Sequence, residues 1–139
     1  MAQISRTDNI TACLAIRRAV FIEGQSVPED IEIDGEDANC LQYMAKVDGT
    51  PAATARVKPI GSKAKIQRVA VLDAHRGTGL GAKLMQFILN DLRPDFSEAV
   101  LGSQMQAIGF YEKLGFQAFG PEFDDAGIPH RDMMRSLRD

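Results

Sequence analysis

Apolar residues recur at helical spacing in three segments of the chain. The longest begins near Gly79 and stops before Pro94, which cannot continue a helix. A first helix is expected after Thr7 or Asp8, because either side chain can cap a helix start. A third, shorter helix is expected to end at Gly115. The apolar positions that define these helices are Ile10, Leu14, Ala15 and Phe21, then Leu80, Leu84, Ile88 and Leu92, then Ala107, Phe110 and Leu114.

The remaining apolar segments are extended. Residues 41–47 and 52–57 flank Asp48-Gly49, a hairpin signal, and the adjoining Thr-Pro predicts a turn longer than two residues. Residues 22–40 show no helical periodicity. Further strands are expected before the glycine-rich turn, at Val100–Leu101, at Phe116–Phe119 and at His130–Leu137. The order α, β-hairpin, β, α, β, α, β, β predicts an α/β (α+β) fold, a mixed sheet with helices on both faces.

Composition narrows the class of protein. The 139 residues are 45% hydrophobic and 25% charged, and no repeat or linker divides them, so residues 1–139 are expected to form a single domain. Cys13 and Cys40 match no metal-binding spacing, which predicts reduced thiols, with a disulfide as the less favoured alternative, no metal and a cytoplasmic location. A net charge of −3 argues against nucleic-acid partners, and no apolar stretch is long enough for a membrane span.

A basic, glycine-rich turn lies between an extended segment and the longest helix. Its glycines, Gly77, Gly79 and Gly81, let the main chain approach a ligand closely, and the amides at a helix start attract phosphate oxygens. A Walker A loop is excluded because Lys83 is followed by leucine rather than by Ser or Thr. A dinucleotide fingerprint fits the glycines, with Glu98 as the ribose-binding acid, but too few residues follow to complete a doubly wound sheet.

Two motifs resemble those of the GNAT acetyltransferase superfamily. Residues 76–81, Arg-Gly-Thr-Gly-Leu-Gly, are similar to its R/Q-x-x-G-x-G/A signature, and residues 107–116, ending in Tyr-Glu-Lys-Leu-Gly-Phe, are similar to its second motif. Residues 17–21, 68–71 and 127–130 resemble the small bacterial ElaA-like subgroup. This resemblance implies the GNAT acyl-CoA N-acyltransferase fold, with a mixed, mostly antiparallel sheet.

The resemblance also implies a function. We expect an acetyl-CoA-dependent N-acetyltransferase that acts on a primary amine of a small molecule or peptide by direct transfer in a ternary complex. Two strands of the sheet are expected to splay apart around the cofactor arm. The implied cofactor-binding residues are Val69, Ala70, Val71, Arg76, Gly77, Thr78, Gly79, Leu80, Gly81 and Gln104.

Tyr111 is the candidate general acid, because the family's matching tyrosine lies near the sulfur and a phenol can protonate a departing thiolate. A tyrosine on a helix also packs as an ordinary half-buried residue, and that reading stays open. Gln104 stands where many relatives carry Asn, so its longer side chain would place the same donor and acceptor differently.

The general base is left open among the side chains of Glu23, Glu32, Asp34, His75 and His130, with a water chain as a further alternative. The residues assigned to the acceptor substrate are Glu23, Arg68 and His130. Residues 23–37 carry seven acidic side chains and no lysine or arginine. This segment either steers a cationic amine or is a solvated loop. Arg17, Arg56 and Arg68 would instead favour a carboxylate-bearing acceptor.

Other functions remain in competition. A non-catalytic acyl-CoA-binding or regulatory module would keep the glycine-rich turn but would have lost the acetyl-transfer activity. An acyltransferase for longer acyl-CoAs, or for acylated signals such as homoserine lactones, shares this fold. A homodimer also stays open.

Overall fold

The computed structural model describes residues 2–138, which form one seven-stranded sheet with helices packed against it. The strands are β1 (Ala2–Arg6), β2 (Leu41–Val47), β3 (Thr50–Ile60), β4 (Lys63–Val71), β5 (Glu98–Gln104), β6 (Gln117–Asp125) and β7 (Ile128–Ser136). The α-helices are α1 (Ile10–Arg17), α2 (Glu29–Glu32), α3 (Leu80–Leu92) and α4 (Ile108–Glu112). A π-helical turn continues α1 over Arg18–Glu23, and 3₁₀ turns lie at Asp37–Asn39, Asp73–His75 and Met105–Ala107.

The strand order is β1-β2-β3-β4-β5-β7-β6. Within residues 2–138 only β4 and β5 pair in parallel, and the other neighbours are antiparallel. The mixed, mostly antiparallel sheet expected from the sequence is therefore confirmed.

Helices cover both faces of the sheet, as strand β3 makes clear. Side chains alternate between faces along a strand. Ala53, Ala55 and Val57 pack in the main core cluster with α3, whereas Thr54 and Arg56 are buried on the opposite face, towards α1. On that second face, Ile16 and Val20 pack against Ala70 of β4.

The start of the chain differs from the sequence prediction. Strand β1 was not expected, and it adds an edge strand that pairs with β2. Asn9 caps α1 by accepting a hydrogen bond from the Ala12 amide at 3.1 Å, so the predicted caps Thr7 and Asp8 were wrong. The cap falls later in the sequence than predicted because Thr7 still pairs with β2, where its amide donates to the Gln42 carbonyl.

The hairpin turn between β2 and β3 is shorter than predicted. Val47 pairs with Thr50, so only Asp48 and Gly49 form the turn, both with positive φ (52° and 82°). A register shift at Ala45 takes up the extra residue next to Pro51, so that the proline joins the strand without lengthening the turn.

Helix α4 presents a different side chain to the core than the periodicity predicts. Phe110 is 37% exposed, while the adjacent Tyr111 is buried in the main core cluster. Strand β6 also continues past the predicted end at Phe119 as far as Asp125, and β7 begins at Ile128, two residues before the predicted start at His130. Among residues 2–138, no helix is both long enough and apolar enough to cross a bilayer.

Candidate functional site

The two central strands separate at the middle of the sheet. Parallel pairing of β4 with β5 runs only from Lys63 opposite Glu98 to Ile66 opposite Leu101. Beyond that point β4 stays paired with β3 as far as Val71, and β5 stays paired with β7 as far as Gln104. The strands therefore form a wedge, and a cavity of about 490 Å³ opens there.

A β-bulge lies where the wedge begins. Along the β3–β4 ladder, Arg56 pairs with Gln67 and Thr54 with Ala70, so Ala55 faces two residues, Arg68 and Val69. Arg68 has φ 56°, a left-handed conformation that is strained for a residue with a Cβ atom.

The backbone of Val71 points into the wedge. The next residue, Leu72, donates its amide to the Ala52 carbonyl at 2.9 Å, on the β3 side. Because successive residues of a strand direct their amides to opposite sides, the Val71 amide and carbonyl point away from β3. Arg76 Nε donates to the Val71 carbonyl at 3.2 Å, and so the wedge leads directly to the glycine-rich turn.

The turn is shaped by two glycines with positive φ, Gly77 at 76° and Gly79 at 84°. Helix α3 follows at once, and no side chain of the described residues 2–138 caps its first amides. A Cβ atom placed on either glycine would meet nothing within 4 Å, so the space in front of these amides is open. Such a helix start suits an anion, because the amides lack acceptors and carry the positive end of the helix dipole.

Tyr111 reaches the cavity from α4. Its ring is 9% exposed and packs edge-on against Phe110 and Phe116. The Tyr111 hydroxyl makes no hydrogen bond within residues 2–138. Every fully buried side-chain nitrogen or oxygen in that range has a partner, so the Tyr111 hydroxyl is not fully buried and opens to the cavity. Burial raises the pKa of Tyr111 to about 12, so its hydroxyl remains protonated at neutral pH.

Gln104, at the end of β5, lines the cavity, but its side-chain amide already makes hydrogen bonds to other glutamines. Its Nε2 donates to Gln25 Oε1 at 3.0 Å, and its Oε1 accepts from Gln106 Nε2 at 2.5 Å. Gln25 was not among the predicted site residues. This contact closes one side of the wedge with an amide pair between β5 and the segment after α1.

His130, on β7, lies directly opposite Gln104 and also lines the cavity. It is 8% exposed, and its ring stacks on Phe123 with centroids 5.9 Å apart. Sequence reasoning missed Phe123, because its place beside His130 depends on the β6–β7 register, which the order of residues does not reveal.

Part of the acidic segment, the buried Glu32 and Asp37 and the exposed Asp34, forms an ion-pair network with arginines of other elements. Glu32 is 3% exposed, and its Oε2 lies 2.6 Å from Arg17 Nε and 3.1 Å from Arg68 Nε. Asp34 accepts both terminal nitrogens of Arg56, at 2.9 and 2.6 Å. Arg17 Nη1 bonds Asp37 at 2.5 Å. Glu32 and Asp37 therefore do not form a solvated rim, and Arg17 and Arg56 are not available to bind an acceptor.

The network shifts the pKa values of its carboxyl groups in opposite directions. Burial raises the pKa of Glu32 despite its arginine neighbours. Hydrogen bonds from Arg56 lower the pKa of Asp34 far below its ordinary value. Arg68 and Glu32 line the cavity beside the network.

The structure brings only some of the predicted site residues to the cavity. Those that line it are Val69, Val71, Arg76, Gln104, Tyr111, Arg68 and His130. The turn residues Gly77, Thr78, Gly79 and Gly81 lie next to Arg76, at the end of the wedge, whereas Leu80 and Ala70 are buried. Glu23 is exposed and does not line the cavity, so the structure gives no support to its predicted contact with the acceptor. No group of three or more His, Cys, Asp or Glu side chains suited to a metal occurs within residues 2–138.

Known proteins are similar to this chain in both sequence and fold. A family model described as an acetyltransferase (GNAT) domain matches residues 13–137. The chain is 36% identical to YjcF of Bacillus subtilis, an uncharacterized N-acetyltransferase, over 124 residues that cover 86% of this chain and 87% of that protein.

Two solved structures are similar to this chain in fold. The crystal structure of Escherichia coli ElaA matches with a TM-score of 0.85 and 27% identity, covering 97% of this chain and 99% of ElaA. An acyl-CoA N-acyltransferase from Pseudomonas aeruginosa matches with a TM-score of 0.84 and 27% identity, covering 97% of this chain and 98% of that one. The resemblance expected from the motifs is thus confirmed across most of the chain.

Proposed function

The chain belongs to the GNAT acetyltransferase family, and we propose that it transfers an acetyl group from acetyl-CoA to a primary amine of a small molecule or peptide. The transfer is direct, within a ternary complex on the single domain of residues 1–139. The observation that carries this proposal is the wedge between β4 and β5, which joins an uncapped helix start to a cavity lined by Tyr111.

The residues at the wedge fit a CoA thioester. Open space in front of Gly77 and Gly79 leaves room for a pyrophosphate against the main chain of the turn. The Val71 amide points into the wedge, where it can donate to an amide carbonyl of the pantetheine arm. In this assignment the cofactor residues are Val69, Ala70 and Val71 through their backbone, the turn Arg76, Gly77, Thr78, Gly79, Leu80 and Gly81, and Gln104.

Tyr111 supplies the proton for the leaving thiolate. Its hydroxyl opens to the cavity, and burial keeps it protonated, with a pKa raised to about 12. Its ring is fixed between two other aromatic rings, so the hydroxyl is positioned before substrate arrives. A fixed donor of this kind protonates the sulfur as the C–S bond breaks.

A thermal-shift panel followed by an amine screen tests this function. We expect acetyl-CoA and CoA to raise the melting temperature, and NAD to leave it unchanged, because only a ligand of the folded state stabilises it. Longer acyl-CoAs in the same panel report the preferred acyl chain. The screen then measures free thiol released from acetyl-CoA with a set of primary amines. Binding of CoA without transfer to any amine would instead identify a non-catalytic acyl-CoA-binding module.

A further inference from the structure

His130 and Tyr111 enter one cavity from opposite faces of the sheet. His130 lies directly opposite Gln104, and such a pair shares a face. Gln104 bonds Gln25, which follows α1, so His130 belongs to the α1 side. Tyr111 packs in the main core cluster with α3, on the other side. The two groups therefore approach any molecule in the wedge from different directions.

A backbone contact fixes which ring nitrogen of His130 carries the proton. Nδ1 lies 2.7 Å from the Ile128 carbonyl oxygen. A carbonyl oxygen only accepts, so Nδ1 must donate, and in the neutral ring Nε2 keeps its lone pair. No group within residues 2–138 forms a hydrogen bond with Nε2. Every fully buried side-chain nitrogen in that range has a partner, so Nε2 is not fully buried and opens to the cavity.

The His130 ring is also held in place. It is 8% exposed and stacks on Phe123 at an interplanar angle of 27°. Phe123 in turn lies over Gly102 of β5, where a Cβ atom would come 3.4 Å from the phenylalanine Cζ. The imidazole is thus oriented before any substrate binds.

The other predicted bases are placed less well. Glu23, Asp34 and His75 do not line the cavity. Glu32 does, but its carboxylate is the counter-charge for Arg17 and Arg68, which would lose it if Glu32 took a proton.

Several charged side chains share the cavity with His130. They are Glu32, Lys65, Arg68, Arg76, Asp125 and Asp132. Asp125 and Asp132 are exposed, so water stabilises their charged forms. Three carboxylates balance three cations, so the lining as a whole carries no net charge. Asp125 and Asp132 belong to β6 and β7, the strand pair that carries His130, whereas Arg76 lies at the glycine-rich turn.

We propose that Nε2 of His130 is the general base that takes the proton from the attacking amine, a role that rests on the proposed acetyl transfer. The neutral amine nitrogen bonds the thioester carbonyl carbon, and the C–S bond breaks. His130 takes a proton from that nitrogen, while the Tyr111 hydroxyl gives its own to the sulfur. A proton then returns from His130 to Tyr111 through solvent, so a neutral amine is acetylated with no net proton gained or lost.

The test compares His130→Asn with the wild type and with His75→Asn, which alters the other histidine of the chain. The asparagine amide can still donate to the Ile128 carbonyl, but it cannot take a proton. With the best amine of the screen, we expect His130→Asn to lower kcat about 10²- to 10⁴-fold near neutral pH. KM for acetyl-CoA should stay within about twofold. The deficit should shrink as the pH rises, and His75→Asn should behave as the wild type.

Contrary outcomes separate this role from the acetyl transfer itself. If His130→Asn keeps kcat within about threefold, or loses the same factor at every pH, the base is another group and the transferase function stands. Nitrogen NMR of the wild-type protein needs no acceptor, and a ring protonated at Nε2 rather than Nδ1 overturns the proposal. A wild type that binds acetyl-CoA but acetylates no amine contradicts the transferase function and the base role together.

Discussion

Arg68 reaches from β4 to α2, where its Nε lies 3.1 Å from Oε2 of Glu32. A second guanidinium nitrogen donates to the Ile31 carbonyl at 3.2 Å. These contacts hold the residue whose left-handed backbone, at φ 56°, forms the β4 bulge. A non-glycine residue in that conformation costs about 1–2 kcal/mol, so the ion pairs offset strain at the point where the wedge opens.

Two substitutions at Arg68 separate backbone strain from ion pairing. Both Arg68→Ala and Arg68→Gly lose the guanidinium contacts, but only glycine adopts φ 56° without steric cost. We expect the glycine variant to be more stable than the alanine variant by about 1 kcal/mol in urea unfolding. An alanine variant as stable as the glycine variant would mean that the bulge rearranges once the arginine is gone.

Glu32→Gln should be far more damaging to folding than Glu36→Gln. Glu32 is 3% exposed between two arginines, so its neutralisation leaves buried positive charge uncompensated and should cost about 3–5 kcal/mol. Glu36 pairs with Lys58 at the surface and should cost below about 1 kcal/mol. Denaturant unfolding measures both, and equal small losses would show that the network does not stabilise the fold.

Gly79→Val should abolish most of the thermal shift given by acetyl-CoA. The side chain would project into the open space before the first amides of α3 and would strain a backbone with φ 84°. Gly61→Val is the matched control, because Gly61 also has positive φ (59°) with open space around it but lies in the β3–β4 turn. It should lose similar stability yet keep the acetyl-CoA shift. Loss of the shift in both variants would indicate a general effect of strain.

Tyr111→Phe should impair turnover without destabilising the protein. Its hydroxyl bonds no group within residues 2–138, so removing it leaves no partner unsatisfied. We expect kcat to fall on the order of 10- to 1,000-fold, with acetyl-CoA binding nearly unchanged.

The other tyrosine should show the opposite result. The Tyr43 hydroxyl donates to Asp91 at 2.5 Å, away from the cavity, so Tyr43→Phe should lower stability by about 1 kcal/mol and spare turnover. Turnover of Tyr111→Phe within about twofold of the wild type would remove this phenol from the mechanism.

The parts of the fold predicted from the sequence are those with strong local patterns. Leu80, Leu84, Ile88 and Leu92 repeat at helical spacing, and all four are buried in α3. Strand β1 offers no such pattern, because it is an edge strand with Ile4 as its only large apolar residue, held mainly by backbone pairing with β2. Edge strands of this kind depend on tertiary contacts that a local reading of the sequence does not contain.

The glycine-rich turn of the candidate site could be predicted from one local motif. Gly77 and Gly79 have positive φ and a helix follows from Leu80, as the sequence indicated, whereas Gly81 lies inside that helix. The burial of Glu32 depends on Arg17 and Arg68, which belong to other elements. The sequence does not show that these arginines lie beside Glu32, so the acidic residues 23–37 were interpreted as a cleft rim or a solvated loop. His130 lies opposite Gln104 only because of the β5–β7 register, which no spacing along the chain reveals.

The short β4–β5 ladder divides the sheet into two plates that meet along a seam of four residue pairs. The first plate, β1 to β4 with α3 against it, carries the glycine-rich turn. The second, β5, β7 and β6 with α4, carries Tyr111 and His130. The proposed phosphate contacts and the proposed proton-transfer groups thus belong to different plates. A change in the angle between the two plates would alter the catalytic rate while leaving phosphate binding intact.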